Sequence, residues 1–464
     1  MSAAISSAIP PLRLSLSDPS VQQALNTSVY WASVQGLGRS LFSGRHVVSR
    51  CRRALLVWID ALGGGPLGSA AKLCNGMDRC RGDSVLGALV DWRRENGMKT
   101  PYKAEQVGSL LRPVAVLDAR KAFLEGRTGL EALRQVEDDA IAAALRRQRE
   151  IGLEILSDGE MRRGSWLTDM AEAVEGFVED RVMLEWKGPG GQVEATTARV
   201  AGAKLRRARP LTAYEVPFLA ETAGGPFKIT LPAPSNFMFA SYKAGVTDRI
   251  YADRGALLAD LVQIVRDEIH WLVQQGVTYI QFDAPYYSHY LDPRQRERFR
   301  QGGLDPDREF DAAVAGDNAA LRGLVRDHLT CALHVCRGNS RSRWYTEGAY
   351  DAVAEKLFGT LEVDTFLLEY DDERSGGFEP LRLVPRDKSV VLGLITTKQP
   401  ALEPDDRLRR RIDEAARYVP LPDLAISTQC GFASVAAGNL LSEDDQWRKL
   451  ELVVDTAHKV WGQS

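Results

Sequence analysis

The chain has 464 residues, of which 44% are hydrophobic and 26% are charged. This composition can bury a sizeable core in one large domain or two ordinary ones, and it excludes a wholly disordered chain. The formal net charge of −3 provides no overall basic field for nucleic acid or for an anionic membrane surface, so we expect a small-molecule substrate.

Cysteine content and hydropathy bear on the cellular compartment. Six cysteines are too few for a disulfide scaffold in a chain of this length, so reduced thiols or metal ligands are expected instead. The most apolar stretch near the N-terminus, residues 54–71, is interrupted by Asp60 and rich in glycine, so no transmembrane helix is predicted. These features predict a cytoplasmic protein.

The first segment, residues 1–97, differs in composition from the rest of the chain. It holds 11 Lys or Arg against 6 Asp or Glu and lacks sustained helix or strand periodicity, which predicts a weakly structured N-terminal extension. Its first 59 residues contain a single acid, Asp18, as transit peptides do. Two interpretations stay open: a transit peptide, which would place the protein in mitochondria, or a true start at Met98.

Residues 98–464 alternate short β-prone runs with longer helical stretches, which indicates a parallel α/β sheet. The clearest helix is predicted at residues 253–275, with Asp253 as N-cap and Gly276 after the last turn. Candidate strands lie at residues 104–108, 153–157, 227–231, 278–282, 330–336, 363–369, 389–395 and 423–428. This order predicts an α/β fold, a TIM (β/α)8 barrel that forms the catalytic domain.

One region between the second and third candidate strands interrupts this alternation. Residues 174–214 contain alternating polar and apolar segments, such as residues 193–200. Period-two alternation indicates β-structure. We therefore predict a strand-rich insertion outside the barrel.

Metal-binding side chains occur near the carboxyl ends of candidate strands, where TIM barrels place their active sites. His334 and Cys336 are two residues apart, so their side chains leave the same face of an extended strand. Glu369 ends the sixth candidate strand, and Cys430 follows the eighth. Cys331 has the opposite parity and is expected to point away.

One imidazole, two thiolates and one carboxylate form a ligand set that zinc accepts in tetrahedral geometry. Zinc that takes up a substrate thiol favours loss of the thiol proton near neutral pH, where a free thiol with a pKa of about 8.5 is mostly protonated. The set therefore indicates S-alkylation chemistry. The alternative is that the His-x-Cys pair belongs to ordinary core and loop residues, because ligands so far apart in sequence match no local zinc signature.

From about residue 100 to residue 460, the sequence resembles the cobalamin-independent methionine synthase superfamily, especially its short, single-barrel members. The His-x-Cys pair, the glutamate and the later Gln-Cys-Gly are similar to the ligands of that family's catalytic zinc, which implies Zn2+ bound by His334, Cys336, Glu369 and Cys430. Three further motifs match in order: Val-Gly-Ser, Ser-Asp-Gly-Glu-Met-Arg-Arg and Ile-Gln-Phe-Asp-Ala-Pro.

The resemblance implies transfer of a methyl group from 5-methyltetrahydrofolate polyglutamate to the thiol of homocysteine, giving methionine. It assigns Glu160 and Asp283 to the catalytic site, where they hold the homocysteine ammonium group, and Gly108 and Ser109 to the homocysteine carboxylate. These roles fit the chemistry, because paired carboxylates attract an ammonium and a hydroxyl with neighbouring amides can bind a carboxylate.

Departures from the family concern the methyl donor. Where the family has a tryptophan that packs on the pterin, this chain reads Leu-Pro-Ala-Pro-Ser-Asn-Phe-Met-Phe, so Phe237 or Phe239 is expected to substitute. The segment with Thr397 and Lys398 replaces the family's proton-donating histidine. An aromatic cluster at residues 286–290 either lines the cleft or packs as an ordinary loop. The resemblance therefore leaves the donor open.

Two other functions stay open. A zinc-dependent transferase of the epoxide:coenzyme M type belongs to the same superfamily, but an anionic sulfonate thiol should not favour two carboxylates, Glu160 and Asp283, beside it. A non-catalytic barrel that uses zinc structurally is the second alternative. Retention of all four ligand residues argues against it.

Overall fold

The computed structural model describes residues 102–462. The predicted N-terminal extension, residues 1–97, lies outside the described residues and stays a prediction. From residue 102 onward the chain alternates strands and helices. None of the helices in this part of the chain is long and apolar enough to cross a membrane.

Strands β3 to β8 form one parallel sheet in chain order, whereas β1 and β2 pair with each other. The strands are β1 (Val174–Glu185), β2 (Val193–Arg207), β3 (Ile229–Pro232), β4 (Tyr279–Asp283), β5 (Thr330–Val335), β6 (Thr365–Glu369), β7 (Ser389–Ile395) and β8 (Leu424–Thr428). The α-helices are α1 (Val114–Leu124), α2 (Leu130–Glu150), α3 (Thr168–Ala173), α4 (Val216–Thr222), α5 (Phe237–Ala240), α6 (Arg254–Gln274), α7 (Ser288–Leu291), α8 (Pro293–Gln301), α9 (Pro306–Leu321), α10 (Ala354–Thr360), α11 (Asp405–Ala415) and α12 (Glu443–Trp461).

Two further parallel bridges extend this sheet at its edges. Ala104 pairs with Ile426 of β8, and Leu156 pairs with Phe227 just before β3. The first segment of the described chain therefore lies beside the last strand, which is consistent with the predicted (β/α)8 barrel. The predicted α/β class is confirmed, with parallel segments that follow one another in chain order.

The first two segments pair over a shorter length than predicted. Strands were expected at residues 104–108 and 153–157, and the described chain forms single bridges there. The main-chain amides of Lys103 and Ala104 donate to Glu154 Oε2 over 2.5 and 3.3 Å. In the first segment, a carboxylate therefore accepts from two amides that a strand ladder would otherwise use.

The interior of the sheet is built in layers, because alternate side chains of each strand point to the same side. One layer is apolar and consists of Tyr102, Ile155, Tyr279, Ala332, Leu367, Val391 and Ala425. Nearby, buried Lys228 pairs with Glu105 over 3.3 Å and donates to Gln281 Oε1 over 2.8 Å. Gln281 then donates from Nε2 to Asp283 Oδ1 over 2.8 Å. This polar network orients a predicted site residue.

Helix α6 confirms the helix predicted at residues 253–275. Asp253 Oδ1 accepts a hydrogen bond from Ala256 N over 2.8 Å, which satisfies one of the free amides at the start of the helix. Gly276 has a φ of 82°, a left-handed conformation that glycine adopts without strain after a last turn. The helix begins and ends where its capping residues predicted.

The predicted strand-rich insertion is an antiparallel hairpin of β1 and β2. The hairpin is attached to the loop after β5, because Lys187 and Trp344 exchange two main-chain hydrogen bonds of 2.6 and 3.1 Å. Arg343 adds a bidentate ion pair with Glu194, at 2.9 Å to each oxygen. The hairpin is therefore fixed to the segment that directly follows the His-x-Cys motif.

A chain that starts at Met98 is expected to fold as the full-length protein does, because residues 102–462 contain a contiguous hydrophobic core of their own. Far-UV circular dichroism and thermal unfolding would test this. The unfolding midpoints of the two chains should agree within about 2 °C, which corresponds to about 1.5 kcal/mol for a chain of this size. A truncated chain that fails to fold would show that residues 1–97 contribute to the core.

Candidate active site

Three of the four predicted metal ligands lie together. His334 belongs to β5, Cys336 follows β5, and Cys430 follows β8. One ligand atom from each of the three lies within 4.8 Å of the others, and all three residues are buried. Cys331 lies in the apolar core instead, as its parity predicted. The fold thus brings together side chains that are far apart in sequence.

The imidazole of His334 is oriented for a metal ion. Its Nδ1 lies 3.3 Å from the carbonyl oxygen of Leu367, so the ring proton is expected on Nδ1, where it can be donated to that carbonyl. Nε2 is buried without a hydrogen bond of normal geometry among residues 102–462, and although burial acts in the opposite direction, Cys430 raises the pKa of the imidazole. An unpaired buried nitrogen is costly unless a ligand uses it. A backbone acceptor on the other ring nitrogen is the usual arrangement of a metal-binding histidine.

The two thiols are coupled through a shared proton. A hydrogen bond from Cys336 lowers the pKa of Cys430 well below its usual value, and the same interaction raises the pKa of Cys336. The interaction therefore favours the thiolate form of Cys430 and the thiol form of Cys336. A divalent cation would replace that proton, so the donor set fits zinc, which binds imidazole nitrogen and thiolate sulfur.

The fourth predicted ligand, Glu369, lies outside this group of three. Its Oε1 accepts a hydrogen bond from Arg374 Nε over 2.9 Å, and its Oε2 accepts one from the main-chain amide of Arg337 over 2.9 Å. Although burial acts in the opposite direction, Arg374 keeps the pKa of Glu369 below its usual value. The carboxylate is anionic, but both of its oxygens already accept hydrogen bonds. Its role as a metal ligand therefore stays a prediction.

Glu160 has the features of a residue that binds a cation. Its φ is 55°, a left-handed conformation that costs a residue other than glycine about 1 kcal/mol or more. Oε1 accepts a hydrogen bond from the Thr230 hydroxyl over 3.1 Å. Oε2 is buried without a hydrogen-bond partner among residues 102–462. A buried carboxylate oxygen in this state is suited to an ammonium donor.

Asp283 and Ser109 line the same pocket as Glu160, His334, Cys336 and Cys430. Burial raises the pKa of Asp283 to about 7, which shows that the pocket disfavours a lone negative charge at this position. A bound cation would reverse that preference. The pocket therefore contains two carboxyl groups whose ionised forms a ligand ammonium would stabilise.

Glycines permit the close approach of predicted site residues. Gly108 has a φ of 150°, and a Cβ atom there would lie 3.1 Å from Glu160 Oε1 and 2.9 Å from a Thr230 carbon. A Cβ atom at Gly431 would lie 2.0 Å from Ser109 Oγ. Any larger residue at either position would push these side chains apart. Gly108 thus acts through its backbone beside Glu160.

The remaining wall of the pocket is largely aromatic and apolar. It includes Trp166, Trp186, Phe237, Tyr286, His289 and Tyr345. Of the two phenylalanines predicted to face the donor, Phe237 lines the pocket, whereas Phe239 packs on Phe299 with ring centroids 4.9 Å apart. Burial lowers the pKa of His289 to about 4, so its imidazole is neutral near pH 7.

The segment with Thr397 and Lys398 supports the loops that carry Cys336 and Cys430. Lys398 Nζ donates to Gly338 O and to Asn339 Oδ1, each over 3.2 Å. The Thr397 hydroxyl donates to Gly431 O over 3.1 Å. Both side chains therefore hold together the segments after β5 and β8.

The sequence analysis gave no role to several lining residues, among them Trp166, Trp186, Asn339 and Tyr345. The insertion was expected outside the barrel, yet Val182, Leu184 and Trp186 line the pocket with their shared face. Their period-two spacing was the signal that could have indicated an apolar wall. No local pattern identified the other three residues.

These features define a parallel α/β protein in which a buried His-Cys-Cys group lies beside two carboxyl groups. The model of the cobalamin-independent synthase catalytic domain matches residues 103–458 of the chain. The chain belongs to the cobalamin-independent methionine synthase family.

Individual relatives agree with this assignment. YxjH of Bacillus subtilis (strain 168) is 40% identical over 377 residues, which cover 80% of this chain and 97% of that protein. The methionine synthase of Pyrococcus abyssi is 25% identical over 326 residues, covering 70% and 84%. A Listeria monocytogenes structure, assigned as a vitamin-B12-independent methionine synthase, has a TM-score of 0.59 and 30% identity and covers 78% of this chain and 99% of its own. The family supports a transferase role in methionine biosynthesis.

Cys336→Ser and Cys430→Ser are each expected to lower zinc affinity by more than about 100-fold, because a neutral hydroxyl replaces a thiolate ligand. Metal analysis of the purified variants measures the loss, and circular dichroism should show an intact fold, since the barrel core does not depend on the pocket. Cys331→Ala, in the apolar core, is the matched control and should keep the metal. Full zinc content in both serine variants would contradict the site.

Proposed function

We propose that this protein is a zinc-dependent methyltransferase that transfers a methyl group from 5-methyltetrahydrofolate polyglutamate to the thiol of homocysteine, giving methionine. The observation that carries the proposal is a single pocket that contains the His334, Cys336 and Cys430 group together with Glu160 and Asp283. A site for a thiophilic metal beside a site for an ammonium suits a thiol-containing amino acid.

The protein contributes the ligands and the charge of the metal site. Zinc bound by His334, Cys336 and Cys430, with Glu369 as the proposed fourth ligand, would convert a substrate thiol to its thiolate near neutral pH. Both cysteine sulfurs add negative charge to the site, which keeps a bound thiolate nucleophilic. The imidazole is held by Leu367 O, so it need not reorient.

The acidic side of the pocket is proposed to bind the ammonium and carboxylate groups of the substrate. Glu160 Oε2 is unpartnered within residues 102–462 and would accept a hydrogen bond from the ammonium group of homocysteine. Asp283 is held by Gln281 and would provide a second acceptor. Because Gly431 has no side chain, Ser109 can lie close to it. The Ser109 hydroxyl would donate a hydrogen bond to the substrate carboxylate.

The aromatic wall is proposed to bind the methyl donor. Phe237 and Trp186 line the pocket and offer flat surfaces on which a pterin ring can pack. Arg199 also lines the pocket. It forms a partly exposed ion pair with Glu179, in which Nη2 lies 2.9 Å from Oε1. An exposed pair of this kind exchanges partners at little cost, so Arg199 suits the anionic glutamate tail of a folate. Such substrates fit the expected cytoplasmic location.

Two alternatives are less well supported. A coenzyme M thiol carries a sulfonate, which the buried Glu160 and Asp283 would repel. A purely structural metal site would give no role to the buried, unpartnered Glu160 Oε2 or to Asp283, although both residues line the same pocket as His334, Cys336 and Cys430.

Metal analysis of the purified protein, combined with an assay of homocysteine methylation, tests the proposal. About one zinc per chain with methionine formed from the methyl-folate donor is the expected result. Coenzyme M alkylation, or zinc without any thiol transfer, would favour one of the alternatives. Absence of both zinc and transfer would overturn the proposal.

Glu160→Gln and Asp283→Asn are each expected to weaken homocysteine binding by about 10- to 100-fold, the loss associated with one charge-assisted hydrogen bond. Zinc content should not change, because neither residue belongs to the metal group. Calorimetric titration with homocysteine and metal analysis measure the two effects separately. Unchanged binding in both variants would remove these residues from the ammonium site.

Glu194→Gln is expected to raise KM for the methyl donor by about 3- to 10-fold, because the hairpin that forms one pocket wall loses a charge-assisted pair to Arg343. Homocysteine binding and zinc content should stay the same. Glu175→Gln breaks an exposed hairpin pair with Arg206 and is the matched control. If both variants have the same donor KM, attachment of the hairpin does not affect donor binding.

A further inference from the structure

The side chains of Glu160 and Asp283 each accept a hydrogen bond from a neutral donor. The Thr230 hydroxyl donates to Glu160 Oε1 over 3.1 Å, and Gln281 Nε2 donates to Asp283 Oδ1 over 2.8 Å. Thr230 of β3 and Gln281 of β4 are partners in the parallel register. The two neutral donors therefore lie beside each other on neighbouring strands, and each one serves a different acid of the pocket.

A buried cation lies behind each of the two neutral donors. Arg163 Nη1 donates to Thr230 Oγ1 over 2.9 Å, and Lys228 Nζ donates to Gln281 Oε1 over 2.8 Å. Arginine and lysine side chains can only donate hydrogen bonds, so each cation must face an oxygen. The hydroxyl proton of Thr230 and the NH2 group of Gln281 are therefore directed away from the cations and toward the acids.

Both cations are paired with acids that lie outside the pocket lining. Arg163 and Lys228 are each 1% exposed. Glu215 accepts from Arg163 Nε and Nη2 over 2.8 and 2.6 Å, and Glu105 pairs with Lys228 over 3.3 Å. Arg163 Nη1 lies 4.0 Å from Glu160 Oε1, which is beyond hydrogen-bond distance. The positive charge of Arg163 therefore reaches Glu160 mainly through the Thr230 hydroxyl.

We propose that Thr230 and Gln281 are positioning residues that make the pocket selective for a substrate ammonium group. Each of them fixes one oxygen of an acid and keeps the buried cation behind it one side chain away from that acid. The inference rests on the proposed function, since it assumes that Glu160 and Asp283 bind the ammonium group of an amino-acid thiol.

A neutral donor leaves the negative charge of an acid available to a ligand. A direct ion pair with Arg163 would satisfy Glu160 within the protein, and a ligand ammonium would then have to displace a buried partner. A hydroxyl donor forms a weaker hydrogen bond than a guanidinium does. Glu160 Oε2, which is unpartnered among residues 102–462, therefore still requires a cation, and the fixed Oε1 keeps it in place for one.

Selectivity follows from the same arrangement. An amino-acid thiol brings an ammonium group that can pair with both acids. The same thiol acid without an amino group would leave the two carboxyl groups buried without a cationic partner, which is costly. The pocket would therefore distinguish the two ligands by charge, and the difference should depend on Thr230 and Gln281.

The test measures calorimetric binding of homocysteine and of 4-sulfanylbutanoate, the same thiol acid without an amino group, to the zinc-loaded full-length protein. Thr230→Val removes the hydroxyl and leaves Arg163 Nη1 free to approach Glu160 directly. Homocysteine affinity should fall by about 3- to 10-fold, the loss associated with one neutral hydrogen bond. Affinity for 4-sulfanylbutanoate should not change. Thr230→Ser keeps the hydroxyl and should bind homocysteine nearly as wild type does.

Thr365→Val is the matched control. Thr365 is also a buried threonine of the parallel sheet, but its hydroxyl has no hydrogen-bond partner among the described residues. Its loss should alter the binding of neither ligand. Gln281→Met tests the second neutral donor, with the same pattern expected, and carries the test if thermal unfolding shows that Thr230→Val does not fold.

A second comparison places Thr230→Val in the Glu160→Gln background. If Thr230 acts through Glu160, the substitution should cause no further loss of homocysteine affinity there. An equal loss in both backgrounds would overturn the inference, because Thr230 would then support the pocket in general. Equal weakening of homocysteine and 4-sulfanylbutanoate would overturn it for the same reason.

Unchanged homocysteine affinity in folded Thr230→Val and Gln281→Met would also overturn the inference. Failure of the proposed function looks different, because it would be visible in the wild-type protein. That protein would then bind neither ligand, or it would bind homocysteine and 4-sulfanylbutanoate equally well.

Discussion

The parallel register of the sheet is the constraint on which the site depends. Asp283 pairs with His334 across β4 and β5, and His334 pairs with Leu367 across β5 and β6. Because alternate side chains of each strand share one side, this register places the Asp283 carboxyl group and the His334 imidazole beside each other on neighbouring strands. A shift of one residue would turn both away from the pocket.

The site combines a strained backbone residue with buried polar atoms that lack hydrogen-bond partners, which is unusual in a purely structural core. The left-handed backbone at Glu160, its unpartnered Oε2 and the unpartnered Nε2 of His334 all occur within the described residues around one pocket. Each is costly without a ligand. Lys228 donates a hydrogen bond to Gln281, which in turn donates one to Asp283. The Asp283 side chain is therefore held in position before any substrate enters.

The loop after β5 connects the separate parts of the pocket. It starts at the metal-binding pair, donates the Arg337 amide to Glu369, and attaches the hairpin through Arg343 and Trp344. The His334 and Cys336 pair, the Glu369 carboxylate and the hairpin are therefore all in contact with one segment. The His334 and Cys336 pair and the hairpin are therefore linked by direct contacts, without a long chain of intermediate residues.

The sequence by itself determined the family, the α/β class, helix α6 with its cap, and the shared face of His334 and Cys336. These follow from local spacing, which is visible along the chain. Only the tertiary structure decided that the insertion lines the pocket, that the first two strands pair through single bridges, and that Glu369 bonds to Arg374 and Arg337. Those outcomes depend on contacts between the hairpin and a loop far along the chain, or on a side chain that can choose among several nearby partners. Residue spacing fixes the face from which a side chain leaves its strand, but the partner it meets there is set by segments that the fold brings in from elsewhere.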